Sequence, residues 1–157
     1  VAIHVVLYQP EIPANTGNIA RTCAATDTKL HLIRPLGFST EDKMLKRAGL
    51  DYWDFVDITY YDSLEEFFEK NKDGEHFFLT KFGEKPHTSF SYEDRLKDYY
   101  FIFGKETTGL PKDLLAKNKD HCLRIPMNDN VRSLNLSNTA AILVYEALRQ
   151  QNYPNLH

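Results

Sequence analysis

Ile3-His4-Val5-Val6-Leu7-Tyr8, closed by Gln9-Pro10, is a short apolar run that ends at a proline, the pattern of a buried strand. The loop through Pro13 leads to Asn15, which stands where a helix N-cap belongs. Ile19, Thr22, Cys23 and Thr26 then recur at helical spacing to about Asp27, and Leu30 to Arg34 forms a second strand before Pro35 and Gly37. This strand–helix–strand succession continues along the chain. Ser39 or Thr40 is expected to cap a charged helix through Ala48, stopped by Gly49. Phe55 to Tyr61 reads as the third strand, and Ser63-Leu64-Glu65-Glu66 resembles a capping box for a helix to about Asn71. His76 to Lys81 and Tyr99 to Phe103 are strands four and five, separated by a polar loop rich in turn residues. Pro111 suits the first turn of a short helix to about Lys117, and His121 to Ile125 is strand six. The last helix, from about Leu136 to Gln151, carries Ala140-Ala141-Ile142-Leu143-Val144-Tyr145. Being apolar on more than one face, it is expected to lie between its own sheet and a second subunit. Six strands alternating with helices predict an α/β fold with a mostly parallel sheet, in one domain spanning residues 1–157.

Composition narrows the function classes without naming one. Apolar residues make up 42% and charged residues 26%, a globular rather than a disordered balance. No apolar run approaches the ~20 residues of a membrane span, and no signal-peptide pattern opens the chain. Cys23 and Cys122 sit inside apolar patterns without C-x-x-C pairing, so buried free thiols and a reducing, cytoplasmic setting are expected. The net charge of −3 does not advertise nucleic-acid binding. Local basic clusters do occur at Lys43, Lys46 and Arg47, at Lys81 and Lys85, and at Lys112, Lys117 and Lys119. Singly, each is equally well a solvated face.

The familiar site signatures are missing. No G-x-G-x-x-G follows the first strand, and Gly104-Lys105-Glu106 lacks the rest of a phosphate-binding Walker loop. No H-E-x-x-H or G-x-S-x-G occurs, and the six histidines are scattered, so no metal site is expected. In parallel sheets, ligands bind beyond the carboxyl ends of the strands. The loops there, Gln9 to Asn18, Gly104 to Pro111 and Pro126 to Asn135, hold nine Gly, Asn and Ser residues suited to backbone and polar contacts.

Those loops carry three ordered motifs. Asn15-Thr16-Gly17-Asn18-Ile19-Ala20-Arg21-Thr22 resembles the first motif of the SPOUT class of RNA methyltransferases. Phe103-Gly104-Lys105-Glu106-Thr107-Thr108-Gly109-Leu110 resembles the second, and Ile125-Pro126-Met127 with Arg132-Ser133-Leu134-Asn135-Leu136-Ser137-Asn138 the third. The resemblance runs essentially end to end. Pro10-Glu11-Ile12-Pro13 and Arg47-Ala48-Gly49-Leu50-Asp51-Tyr52 look like the subgroup that methylates the ribose 2′-hydroxyl of the tRNA wobble nucleotide, cytidine or uridine, as in leucine tRNAs. It implies S-adenosylmethionine as methyl donor and S-adenosylhomocysteine as product, with no metal. It also implies a homodimer that binds tRNA through its catalytic domain, and a C-terminal trefoil knot, which general topology rules would not have suggested. A SPOUT enzyme acting on rRNA or another tRNA position, and a non-catalytic nucleotide-binding module, are the other readings.

By resemblance, Leu79, Gly104, Gly109, Ile125 and Ser133 line the cofactor site. Core packing is the competing explanation for Leu79 and Ile125, and turn geometry for the glycines. Catalytic roles fall to Arg21, Asn15, Glu106, Ser133 and Asn135. A guanidinium holds its proton past pH ~12, so Arg21 is expected to bind the target phosphate and orient the hydroxyl rather than act as base. Asn15 would position Arg21 or substrate, and Glu106 would hold Arg21 or a hydroxyl. Capping of the last helix competes for Ser133 and Asn135. Lys43, Lys46 and Arg47 are expected to contact RNA phosphates, and Tyr145 to pack at the dimer interface or in the core.

Overall fold

The structure, a computed structural model, describes residues 2–39 and 42–157, with the side chains of residues 46 and 48–51 outside the description. Strand β1 (Ile3–Tyr8) leads into α1 (Pro13–Thr26), then β2 (Lys29–Ile33) and α2 (Lys43–Gly49). A 3-10 helix (Leu50–Phe55) precedes β3 (Ile58–Tyr61), α3 (Leu64–Lys70), β4 (Glu75–Leu79) and β5 (Lys85–Pro86). Then come β6 (Tyr99–Phe103), α4 (Lys112–Lys117), β7 (Cys122–Arg124) and α5 (Leu136–Gln150). The strands form one sheet in the order β3-β2-β1-β6-β4-β7-β5, with every ladder parallel. The expected α/β class holds, but among the described residues the sheet has seven strands, not six. The additional one is the two-residue β5, whose Lys85-Pro86 carries no apolar run to signal it.

Strand parity divides the core. Ile3, Val5 and Leu7 of β1, Leu30 and Leu32 of β2, and Tyr99, Phe101 and Phe103 of β6 pack into a cluster with α1 and α5. Val6, Ile33, Tyr100 and Ile102 face the other side, against Phe67 of α3. Alternation by two is what a pleated strand imposes, and each fully buried Phe contributes roughly 1.5–3 kcal/mol. Cys23 and Cys122 are both buried and free, and burial pushes the Cys23 thiol up to about 12.

Several boundaries differ for local reasons. Asn15 is not the N-cap of α1. The helix opens at Pro13, whose missing N–H costs nothing in the first turn, and Ile12 occupies the cap position without a side-chain bond. Asp42 Oδ1 accepts from the Met44 N–H at 2.8 Å, in the capping place expected of Ser39 or Thr40; Thr40 lies outside the described residues. Residues 50–55 form a 3-10 helix, so β3 starts at Ile58 instead of Phe55. Ser63 does cap α3, accepting from the Glu66 N–H at 3.1 Å. On α5, Ala140, Leu143, Val144, Ala147 and Leu148 are buried, whereas Ile142 and Tyr145 are exposed. Tyr145 is therefore not a core residue.

Candidate active site

Strand order brings the motif loops together. In β1-β6-β4-β7, Leu7 pairs with Phe103, Phe78 with Ile102, and Leu79 with Leu123. The carboxyl ends of four neighbouring strands therefore stand level, and the loops at Gln9, Gly104, Thr80 and Ile125 leave the same edge of the sheet. A parallel sheet offers its ligands this edge.

Hydrogen bonds tie three of these loops to one another. Glu106 Oε1 accepts from the Glu11 N–H at 2.9 Å, and Oε2 from the Ile12 N–H at 2.8 Å and Asn15 Nδ2 at 3.3 Å. A carboxylate thus sits at the N-terminus of α1, where the unpaired N–H groups and the helix dipole favour an anion. Asn15 Oδ1 in turn accepts from Asn135 Nδ2 at 3.1 Å. Asn135 also caps α5, its Oδ1 accepting from the Ser137 N–H at 2.9 Å. Asn15 is buried within this bridge.

Glu106 therefore holds backbone at residues 11 and 12 together with Asn15, and these bonds use both its oxygens. Arg21 lies elsewhere, exposed on α1, its guanidinium 4.9 Å from the centroid of the Tyr52 ring. The ring's electron-rich face attracts the cation there.

The glycines have a specific local cause. A Cβ on Gly104 would lie 2.1 Å from the Gly109 carbonyl carbon, because the loop returns directly over it. Lys105 and Gly109 exchange both backbone bonds, at 3.2 and 2.9 Å, and Gly109 has φ of +71°, in the left-handed region. Turn geometry accounts for both residues.

Around this turn, Ile125 is buried and Leu79 partly buried against the α1/α5 cluster. Ser133 is exposed in the loop before α5, where Met127, Val131 and Leu134 also expose apolar side chains. Apolar side chains from Leu79 and Ile125, with exposed apolar groups on the loop before α5, suit a flat heterocycle. The residues present thus fit an adenosyl cofactor. Among the described residues, no group of three His, Cys, Asp or Glu is arranged to hold a metal.

Lys43 and Arg47 are exposed on α2, which packs along α1; the Lys46 side chain lies outside the described residues. Two open clefts, of about 540 and 380 Å³, lie away from the motif loops. The smaller is lined by Glu75 and Tyr99, at the amino ends of β4 and β6, and Phe90, Ser91 and Glu93 line both. The smaller thus stands at the opposite edge of the sheet from the motif loops, with Glu75, Glu93 and Asp94 facing the single lysine Lys97. Sequence reasoning passed over Glu11 and Thr107, which bond each other across the same loops: Glu11 Oε1 accepts from the Thr107 N–H and hydroxyl at 3.1 and 2.7 Å.

The model of the SpoU rRNA Methylase family matches residues 2–145. The chain belongs to that family. A Bacillus subtilis (strain 168) relative, provisionally named tRNA (cytidine(34)-2′-O)-methyltransferase, is 76% identical over 156 residues, covering 99% of this chain and 98% of its own. The tRNA (cytidine(34)-2′-O)-methyltransferase of Escherichia coli K12 is 46% identical over 153 residues, covering 97% and 96%. A solved structure described as giving insight into 2-OH methylation of C/U34 on tRNA matches this SpoU methylase with a TM-score of 0.87 and 45% identity, over 96% and 97% of the two chains. AviRb from Streptomyces viridochromogenes, solved in complex with AdoMet, shares the fold at a TM-score of 0.79 and 22% identity, over 96% and 58%.

Proposed function

We propose that this SpoU methylase transfers a methyl group from S-adenosylmethionine to the ribose 2′-hydroxyl of nucleotide 34, cytidine or uridine, of leucine tRNAs. It acts as a cytoplasmic homodimer with the trefoil knot of the SPOUT class. The observation that carries the reading is the Glu106–Asn15–Asn135 bridge, which joins the three motif loops at the carboxyl edge of the sheet. Near full-length relatives named for this reaction support the substrate. The knot accords with the path of the chain: β7 lies beyond β4, yet α5 packs on α1, β1 and β6.

S-adenosylmethionine, when bound, supplies a methyl group already activated on sulfur. The chain must then align and orient the acceptor, and misplacement by about 1 Å costs on the order of 100-fold. Leu79 and Ile125 would flank the cofactor's adenine, while the 104–109 turn and Ser133 would offer backbone and hydroxyl contacts. Asn15, Glu106 and Asn135 fix the loops. Arg21 leaves the Tyr52 face to bind the target phosphate and orient the hydroxyl, whose proton passes to a phosphate oxygen or water. Lys43, Lys46 and Arg47 contact flanking phosphates.

The test is methyl transfer from labelled S-adenosylmethionine to unmodified leucine tRNA transcripts, with nucleoside mass spectrometry locating the label. Ribose methylation at nucleotide 34, abolished by Arg21→Ala, is the expected result. Label found only in rRNA, or no transfer to any cellular RNA, would overturn it.

A further inference from the structure

Pro10 to Ile12 is the point where three loops meet. The Gly37 N–H donates to the Pro10 carbonyl at 2.9 Å, and a Cβ on Gly37 would fall 2.9 Å from Glu11 Cα, so the loop after β2 rests directly on this segment. From the other side, Glu106 takes the backbone N–H groups of Glu11 and Ile12. Glu11 returns the contact, its Oε1 accepting from both the backbone and the hydroxyl of Thr107. Two successive residues of the 104–109 turn and two of the β1 loop are thus bonded reciprocally, side chain to backbone in each direction. The Thr107 bonds hold the Glu11 carboxyl below its ordinary range, with Lys105 adding to the effect.

Neither Glu11 nor Thr107 belongs to an apolar cluster, and the bonds between them are exposed. Their loss leaves no cavity and removes no core. What they join is the 104–109 turn and the segment that leads into α1. Arg21 stands nine residues beyond Ile12, roughly 13 Å along the helix axis at ~1.5 Å per residue. A tilt of roughly 5° at that segment then moves Arg21 by about 1 Å, enough to cost on the order of 100-fold in an aligned transfer.

We propose that Glu11 and Thr107 form a latch that sets the pitch of α1 against the cofactor turn, making both positioning residues for methyl transfer. The latch acts through Arg21 and rests on the reading given under Proposed function. It predicts that turnover, not cofactor affinity, depends on the pair.

The experiment is a double-mutant cycle in the full chain with Glu11→Ala, Thr107→Val and both, plus Glu11→Gln, which keeps an oxygen acceptor at Oε1. Turnover and KM for tRNA are measured beside the Kd for S-adenosylhomocysteine and amide hydrogen exchange at residues 11, 12 and 107. Each single variant should lower kcat about tenfold or more, with KM and Kd within about twofold, and the double should be no worse than the worse single. Glu11→Gln should retain most activity, and exchange at the three amides should quicken in both single variants. Unchanged kcat in the singles, losses that multiply in the double, or loss of cofactor affinity alongside activity would each overturn the latch. Should the wild type methylate no tRNA, the functional reading fails by itself. Exchange then decides the latch, quickened amides upholding it and unchanged amides refuting it.

Discussion

Asn15 holds two loops with one amide, donating to Glu106 and accepting from Asn135. Only a side chain with a donor and an acceptor at the same carbon does both. Asn15→Asp sets a second carboxylate beside Glu106, and like charges at that separation repel in a buried site. We expect methyl transfer to fall at least tenfold and the melting temperature to drop, checked by initial rates and thermal scans. Unchanged values would mean that the bridge is not used. The two glycines make a paired test. Gly104→Ala places a methyl group in the returning backbone and should abolish S-adenosylhomocysteine binding in a calorimeter. Gly109→Ala meets no atom within 4 Å and should cost only about 1–2 kcal/mol of stability for its positive φ. The sequence motifs drew attention to all three residues, but not to their reasons. Asn15 resembled a cap because it precedes a helical pattern. The carboxylate at the helix start comes from Glu106, 94 and 95 positions away from the N–H groups it accepts, a distance no local pattern encodes.

Three neighbouring strands, β3, β2 and β1, carry a polar chain through the α3 side of the sheet that ends on Asp98, the residue before β6. Tyr61 hydroxyl to His31 Nδ1 is 2.8 Å, His31 Nε2 to His4 Nδ1 2.9 Å, and His4 Nε2 to Asp98 Oδ1 2.9 Å. One direction of donation, from Tyr61 towards Asp98, satisfies every member with both imidazoles neutral. His4 and His76 stack on either flank of Tyr100, at 4.1 and 4.7 Å between centroids. Burial lowers all three histidines, against the pull of Asp98 on His4, and takes His31 to about 3. Above pH ~6.5 the imidazoles are neutral whether the chain is folded or not. Below it the unfolded chain takes up protons that the folded chain refuses, so stability falls from there towards the folded value of His31. Urea midpoints should be lower at pH 5 than at pH 7.5, and His31→Gln should shrink the difference; equal midpoints would refute this account. The strands themselves were legible as apolar runs. The chain of rings was not, because pairing His4 with His31 needs the β1–β2 register. Aromatic and β-branched residues from Phe55 onwards suit a strand, yet Phe55 closes a 3-10 helix packed against α1, and Val56 and Asp57 lie between it and β3.

For the whole molecule, a net charge of −3 has to be reconciled with an RNA substrate. The exposed cations Arg21, Lys43 and Arg47 stand on α1 and α2, while the smaller cleft at the amino ends of β4 and β6 carries Glu75, Glu93 and Asp94 against one Lys97. Binding is therefore expected to rest on a few local contacts, and Lys43→Ala with Arg47→Ala should flatten the salt dependence of tRNA affinity by about two phosphate contacts. Ile142 and Tyr145 expose apolar surface on α5 between its buried stripe and solvent. Under the dimer reading, Ile142→Asp with Tyr145→Ala should yield a monomer in sedimentation equilibrium. The alternation of strands and helices made the α/β class legible, and three ordered motifs pointed to the edge of the sheet that carries the site. Strand order, which alone makes those motifs neighbours, depends on long-range pairing and was not legible. The proposed target is the 2′-hydroxyl of one nucleotide. The most direct measurement compares methyl transfer to two leucine tRNA transcripts that differ only in a 2′-deoxyribose at nucleotide 34. Transfer to the ribose form alone is expected; equal labelling of the deoxy form would contradict a 2′-hydroxyl target at nucleotide 34.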